Sequence, residues 1–190
     1  MDDPQLESTR AALVPRIKLQ DNALASAATA VEQGNTEAKL EGWRRMASIL
    51  RGRPQEIQRY IEVLTHLVRL DREQSRWWLD LERATVRCGR QDHFERMVLE
   101  RLEDPIAPNE KLHWLVTLMT HAWRRGDPQS ALSLAQRLTE TLPGMRASHA
   151  HAWIAASATG DEELRALALE HLAPNLSASV RATMLSLAAT

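Results

Sequence analysis

The chain has 190 residues, of which 44% are hydrophobic and 26% charged, and this balance excludes an intrinsically disordered protein. Its formal net charge of −1 argues against a nucleic-acid-binding domain, and its single cysteine excludes an intrachain disulfide. No apolar run approaches the roughly 20 residues of a membrane span, and the N-terminus lacks the basic and apolar regions of a signal peptide. We therefore expect a cytoplasmic protein without membrane insertion and without a nucleic-acid partner.

Helix-forming residues fill the sequence, and no segment alternates apolar and polar residues long enough to predict a strand. The sequence therefore predicts an all-α fold. Apolar periodicity and Gly, Pro and Asp breaks predict helices at about residues 15–33, 36–51, 54–70, 73–88, 92–102, 109–125, 128–141, 146–159, 161–172 and 177–188. Because Pro15 fits the first turn of a helix better than its middle, residues 1–14 are predicted to be a flexible lead-in. Residues 15–190 are predicted to form a single domain with a C-terminal capping helix.

Glycines punctuate this pattern at regular intervals. Gly52, Gly89, Gly126 and Gly160 each follow a predicted helix, at spacings of 37, 37 and 34 residues. A glycine just after a helix commonly adopts the left-handed conformation, which costs other residues more. The spacing predicts repeats of two helices, each with a left-handed turn residue between them.

Repeats of this length resemble the tetratricopeptide family, and the stretch from 112 to 143 is the most similar copy. Its turn is Gly126-Asp127, and Pro143 closes the unit. The residues at the family's helix-packing positions are Leu115, Leu118, Met119, Ala122, Ala131, Ala135 and Leu138. The family prefers a large residue at 135 and a small one at 138, so this copy exchanges the two, and other two-helix solenoids would have the same spacing. The resemblance implies a right-handed α-solenoid.

Tryptophans follow the same period. Trp43, Trp78, Trp114 and Trp153 recur at 35, 36 and 39 residues, which indicates packing between repeats. Trp77 is adjacent to Trp78 and must leave the helix in another direction, so we expect one of the two to lie nearer the surface, with a core position still favoured for each.

Motifs that carry catalysis or hold metals are missing from the sequence. It contains no Gly-rich phosphate loop, no paired-cysteine metal motif and no nucleophile elbow. His149 and His151 stand two apart on a predicted helix, point to different faces and are expected to be exposed. We therefore predict a non-enzymatic protein with no cofactor and no metal.

The resemblance also implies a binding surface, because the first helix of each tetratricopeptide repeat lines a concave groove. The groove positions of the two central repeats are Arg76, Leu79, Arg83, Val86 and Arg87, then His113, Val116, Thr120, Trp123 and Arg124. Of these, the residues predicted to bind a partner are Arg76, Arg83, Arg87, His113, Trp123 and Arg124. The three arginines of the first repeat are spaced by 7 and 4 residues, so they share one helix face. Such a face suits an acidic peptide or the C-terminus of a partner polypeptide. The alternative is that Glu73, Asp80 and Glu82 neutralise these arginines in ordinary surface pairs.

Together these features predict a protein–protein interaction module, such as an adaptor, scaffold or chaperone subunit, that binds a protein or peptide partner in a concave groove. Bacterial secretion and assembly systems offer the nearest analogy for this architecture. The alternative is a regulatory or sensor helical-repeat domain of a larger signalling or biosynthetic protein. The sequence leaves open whether the protein forms homo-oligomers.

Overall fold

The structure, a computed structural model, describes residues 4–175, 177, 179 and 180, with side chains from residue 17 onward except at 175. Every regular element within those residues is helical, which confirms the all-α class. The elements are α1 (Pro4–Gln33), α2 (Thr36–Leu50), a 3-10 turn (Pro54–Glu56), α3 (Ile57–Leu70), α4 (Ser75–Arg87), α5 (Gln91–Leu102), α6 (Pro108–Arg124), α7 (Pro128–Thr141), α8 (Arg146–Thr159), α9 (Glu162–Leu172) and a second 3-10 turn (Ala173–Asn175). The helix predicted at 177–188 lies almost entirely outside the described residues.

The first helix is longer than the sequence predicts. It begins at Pro4 and continues through Pro15, so the helix start predicted at Pro15 is wrong. A proline inside a helix removes one backbone hydrogen bond, but residues of high helix propensity on both sides continue the helix past it. The flexibility predicted for residues 1–14 stays a prediction.

Turn glycines set the helix ends. Gly89, Gly126 and Gly160 have φ of 68°, 72° and 76°, which confirms the left-handed turns predicted there. The same prediction for Gly52 is wrong, since its φ is not positive. The Gly52 N–H donates to the Ile49 carbonyl at 3.3 Å, so the backbone leaves α2 through a tight right-handed turn.

The molecule divides into two compact units, Met1–Met97 and Val98–Thr190. In the first unit α1 packs on α2, α2 on α3 and α3 on α4. Its core includes Leu64, Leu67, Leu81 and Phe94, all at most 1% exposed. A side chain on Gly42 of α2 would come within 2.9 Å of the Ala27 carbonyl oxygen, so α1 and α2 approach closely there.

In the second unit α6 packs on α7, α7 on α8 and α8 on α9, and α6 also contacts α8. The seven packing positions named for the best repeat are all buried, as predicted. Ala131 and Ala135, both fully buried, lie on α7. The stacking of these helix pairs into a right-handed solenoid stays a prediction, as does the single domain predicted for residues 15–190.

The core positions favoured for Trp77 and Trp78 are confirmed, and the expected exposure of His149 is wrong. Trp77 and Trp78 are both buried, because each indole N–H finds an acceptor before α4, at Asp71 Oδ2 and at the Arg72 carbonyl, 3.1 Å each. His149 is buried too, although exposure was expected. Its Nε2–H donates to the Pro143 carbonyl at 2.8 Å, and its ring stacks on His171 with centroids 4.1 Å apart.

Candidate functional site

A cleft of about 390 Å³ opens in the first unit where the end of α2, the 3-10 turn, α3 and α4 meet. Its lining residues are Leu50, Arg51, Arg53, Pro54, Ile57, Tyr60, Arg76, Leu79, Asp80, Arg83, Ala84 and Arg87. Five of these are arginines, and Asp80 is the single carboxylate among them. We refer to this feature as the arginine cleft.

The orientation of α4 about its own axis places its arginines on the arginine cleft. Trp77, Trp78 and Leu81 point into the core, and the two indole hydrogen bonds described above fix the start of the helix. Asp71, which accepts from Trp77, also accepts from Arg44 Nη2 at 2.7 Å. The Arg44 bond and then the Trp77 bond lower the pKa of Asp71, which keeps this anchor ionised. With the apolar face fixed inward, the opposite face of α4 lies open.

The floor of the cleft is a polar triad of Arg51, Tyr60 and Asp80. Arg51 pairs with Asp80 and its Nε donates to the Tyr60 hydroxyl at 3.4 Å, while that hydroxyl donates to Asp80 Oδ2 at 3.3 Å. Burial raises the pKa of Tyr60, so it stays a neutral donor. The hydrogen bond with Tyr60 raises the pKa of Arg51, with Asp80 adding to the effect. Asp80 therefore neutralises Arg51 and holds the triad together.

Arg53 is neutralised at the edge of the cleft. Its Nη1 lies 2.7 Å from Asp21 Oδ1 and 2.9 Å from Glu56 Oε1. The Glu56 bond and then the Asp21 bond raise its pKa. Its guanidinium thus has two carboxylate partners within the protein.

The arginines of α4 differ from Arg51 and Arg53. Arg76 lies over the Trp77 ring, with its Cζ 5.4 Å from the centroid. Arg83 and Arg87 are exposed, and neither forms an ion pair with a carboxylate of any residue that the structure describes. Asp80, which the alternative assigned to these arginines, pairs with Arg51 instead.

The charge of the cleft follows from these pairs. Arg51 and Arg53 are paired with Asp80, Asp21 and Glu56, whereas Arg76, Arg83 and Arg87 have no carboxylate partner among the described residues. Arg76 lies over the Trp77 ring, so Arg83 and Arg87, one helical turn apart on α4, are the two with neither a carboxylate nor a ring contact in that part of the chain.

Apolar side chains flank the two unpaired arginines. Leu79 and Val86 are each 45% exposed and stand seven residues apart on α4, so they share a face with Arg83 between them. The open face of α4 therefore combines cationic and apolar groups.

The six residues predicted to contact a partner fall into two sets. Arg76, Arg83 and Arg87 line the arginine cleft of the first unit. The other three lie on α6 of the second unit: His113 is exposed and meets the Trp114 ring edge-on, Trp123 is half-buried, and Arg124 is exposed. A second cleft of about 400 Å³ in that unit is lined by other side chains of α5, α6 and α7. A partner-binding role for each set stays a prediction.

Three residues of the cleft, Arg51, Arg53 and Tyr60, were not predicted from the sequence. The first two were visible as a basic pair around the turn glycine, in Arg51-Gly52-Arg53-Pro54. Tyr60 carried no signal, because it reaches Asp80 only through the packing of α3 against α4.

No group of three or more His, Cys, Asp or Glu side chains suited to a metal ion occurs among the described residues. Likewise, none of the helices in the described ranges combines the length and the apolar character needed to cross a bilayer. Comparisons with protein-family models, with curated proteins and with solved structures yield no match.

Proposed function

We propose that this protein is a non-enzymatic interaction module whose arginine cleft binds an acidic segment of a partner protein. The observation that carries the proposal is a pair of exposed guanidinium groups on the cleft, those of Arg83 and Arg87, without a carboxylate partner in the described part of the chain. A partner carboxylate would give Arg83 or Arg87 the two parallel charge-assisted hydrogen bonds that a guanidinium fork offers.

The composition of the α4 face favours a protein segment as the ligand. Apolar side chains of the partner segment would pack on Leu79 and Val86, next to the segment's acidic residues. A purely polar ligand would leave Leu79 and Val86 exposed. The preferred segment therefore alternates acidic and apolar residues. Because the positive charge of Arg83 and Arg87 attracts such a segment at long range, binding should weaken as salt concentration rises.

We further propose that the helix pairs stack as a tetratricopeptide-like right-handed solenoid, in the cytoplasm, with His113, Trp123 and Arg124 extending the binding groove. The three left-handed turn glycines and the buried packing positions of α6 and α7 support this arrangement. Such a module would act as an adaptor, scaffold or chaperone subunit.

Reversal of the two unpaired arginines tests the proposal. A partner is first identified by pull-down from the native cell extract with the full-length protein, and its affinity is then measured for wild type and for Arg83→Glu/Arg87→Glu. Both side chains are exposed, so the double variant should keep the wild-type circular dichroism and melting temperature while losing binding by about 100-fold or more.

The matched control is Arg45→Glu/Arg137→Glu, which changes the net charge equally. Both side chains lie outside the arginine cleft and pair with exposed glutamates. This control should bind with nearly wild-type affinity. Full affinity of the Arg83→Glu/Arg87→Glu protein, or an equal loss in the control, would refute the arginine cleft as the binding site.

A separate variant tests the predicted contribution of α6. Arg124→Glu leaves the arginine cleft unchanged, so a loss of affinity would assign part of the interface to α6. Unchanged affinity would exclude Arg124 from the interface.

A further inference from the structure

We infer that the acidic group recognised by Arg83 and Arg87 is a phosphate monoester on a partner side chain rather than a carboxylate. This inference rests on the proposed function and specifies the chemistry of its ligand. Arg83 and Arg87 offer two guanidinium groups, which is more positive charge than one carboxylate can neutralise.

A carboxylate carries one negative charge and two oxygens, which a single guanidinium fork satisfies. Binding of one carboxylate by Arg83 would therefore leave Arg87 unneutralised beside it. A phosphate monoester carries about −1.5 to −2 charges at neutral pH and three acceptor oxygens, so it can accept from two guanidinium groups at once. The two guanidinium groups of Arg83 and Arg87, both without a carboxylate partner among the described residues, match this group in charge and in number of donors.

The position of the two arginines suits a shared ligand. They stand four residues apart on α4, on adjacent turns of one helix face, and both line the same cleft. Arg51 and Arg53 are already paired with Asp80, Asp21 and Glu56, so they do not compete for the ligand's oxygens.

The apolar neighbours indicate that the phosphate belongs to a polypeptide. Leu79 and Val86 lie on the same α4 face, each 45% exposed, and inorganic phosphate would leave both uncovered. A peptide backbone that places a phosphorylated residue over Arg83 brings its neighbouring side chains onto these two residues. A cleft of about 390 Å³ accommodates one such side chain and its flanks.

Short synthetic peptides with leucines on both sides of one variable position test the inference. The variable residue is phosphoserine, aspartate or serine, and inorganic phosphate is titrated in parallel. Binding to the full-length protein is followed by calorimetry and by the NMR signals of the arginine Nε–H groups. The phosphoserine peptide should bind at least about tenfold more tightly than the aspartate peptide, and more tightly than inorganic phosphate.

Single variants locate the effect. Arg83→Gln and Arg87→Gln should each reduce the preference for phosphoserine over aspartate to about twofold or less, because one guanidinium remains for either ligand. Arg45→Gln, outside the cleft, should keep the full preference.

Each result separates the inference from the proposed function. Equal or tighter binding of the aspartate peptide would overturn phosphate recognition but agree with an acidic partner segment. Inorganic phosphate binding as tightly as the phosphopeptide would overturn the polypeptide source and assign a small-molecule site. If none of the peptides binds, phosphate recognition is overturned, and the double reversal with the native partner decides the proposed function independently.

Discussion

Asp80 should stabilise the folded protein and at the same time weaken its affinity for an acidic partner. Its side chain is 12% exposed and accepts from Arg51 and from the buried Tyr60 hydroxyl. A buried hydrogen bond to a charged group contributes about 1.5–3 kcal/mol. The pair with Arg51 adds only about 0–1 kcal/mol, since the Arg51 side chain is 42% exposed and solvent screens it. Asp80→Ala should therefore lower the free energy of unfolding by about 1.5–4 kcal/mol.

Asp80→Asn separates the two contributions. Its amide oxygen can still accept from the Tyr60 hydroxyl, so the loss should be about 1–2 kcal/mol. Either variant also removes a negative charge from the arginine cleft, so affinity for the acidic partner should rise while stability falls.

Urea unfolding followed by circular dichroism measures these changes, and Tyr60→Phe completes a double-mutant cycle with Asp80→Ala. Strictly additive losses in the cycle would refute a Tyr60–Asp80 interaction. A loss below about 0.5 kcal/mol for Asp80→Ala, or weaker binding by the folded variant, would contradict the role given to Asp80.

Three further predictions concern the helices and turns. Gly126→Val should lower the free energy of unfolding by about 1–3 kcal/mol through backbone strain alone, because φ is 72° and an added Cβ meets nothing within 4 Å; Gly126→Asn should cost less, and equal melting temperatures for all three proteins would refute the strain. Ala131→Leu should cost about 1–3 kcal/mol by overpacking a fully buried position, whereas an unchanged melting temperature would indicate spare room beside α7. Burial, and then the charge of Arg96, lower the pKa of His93, so the unfolded protein binds the proton more readily. Stability should therefore fall as the pH drops from about 6.5 through the lowered pKa, and a urea series at several pH values should show a smaller fall for His93→Gln.

Local signals in the sequence predicted much of the fold. Each of Gly89, Gly126 and Gly160 was identifiable because a residue after a helix that adopts positive φ is most often glycine. The burial of Ala131 and Leu138 followed from helical periodicity, which depends on residues close in sequence.

The burial of His149 was not predicted because contacts outside its own helix decide it. His149 is polar and lies on a helix of small residues, yet the Pro143 carbonyl and the His171 ring make its burial favourable.

The candidate site was predictable only in part. The shared face of Arg76, Arg83 and Arg87 follows from helix geometry. That Asp80 pairs with Arg51, and so leaves Arg83 without it, depends on how α2 and α4 each pack against α3. Sequence spacing alone cannot show whether Asp80 pairs with Arg51 or with one of the arginines on α4.

The cationic groups of the arginine cleft are all guanidiniums, with neither lysine nor histidine among its lining residues. A guanidinium does not lose its proton in proteins, so this cationic charge stays constant across the whole pH range in which cells live. The pH dependence of the binding affinity therefore reports the protonation of the ligand's acidic group. Affinity for a phosphate monoester should decline below about pH 6, where its second proton binds, whereas affinity for a carboxylate should persist to about pH 4. A native partner thus reveals the class of its acidic group before that group has been mapped to a residue.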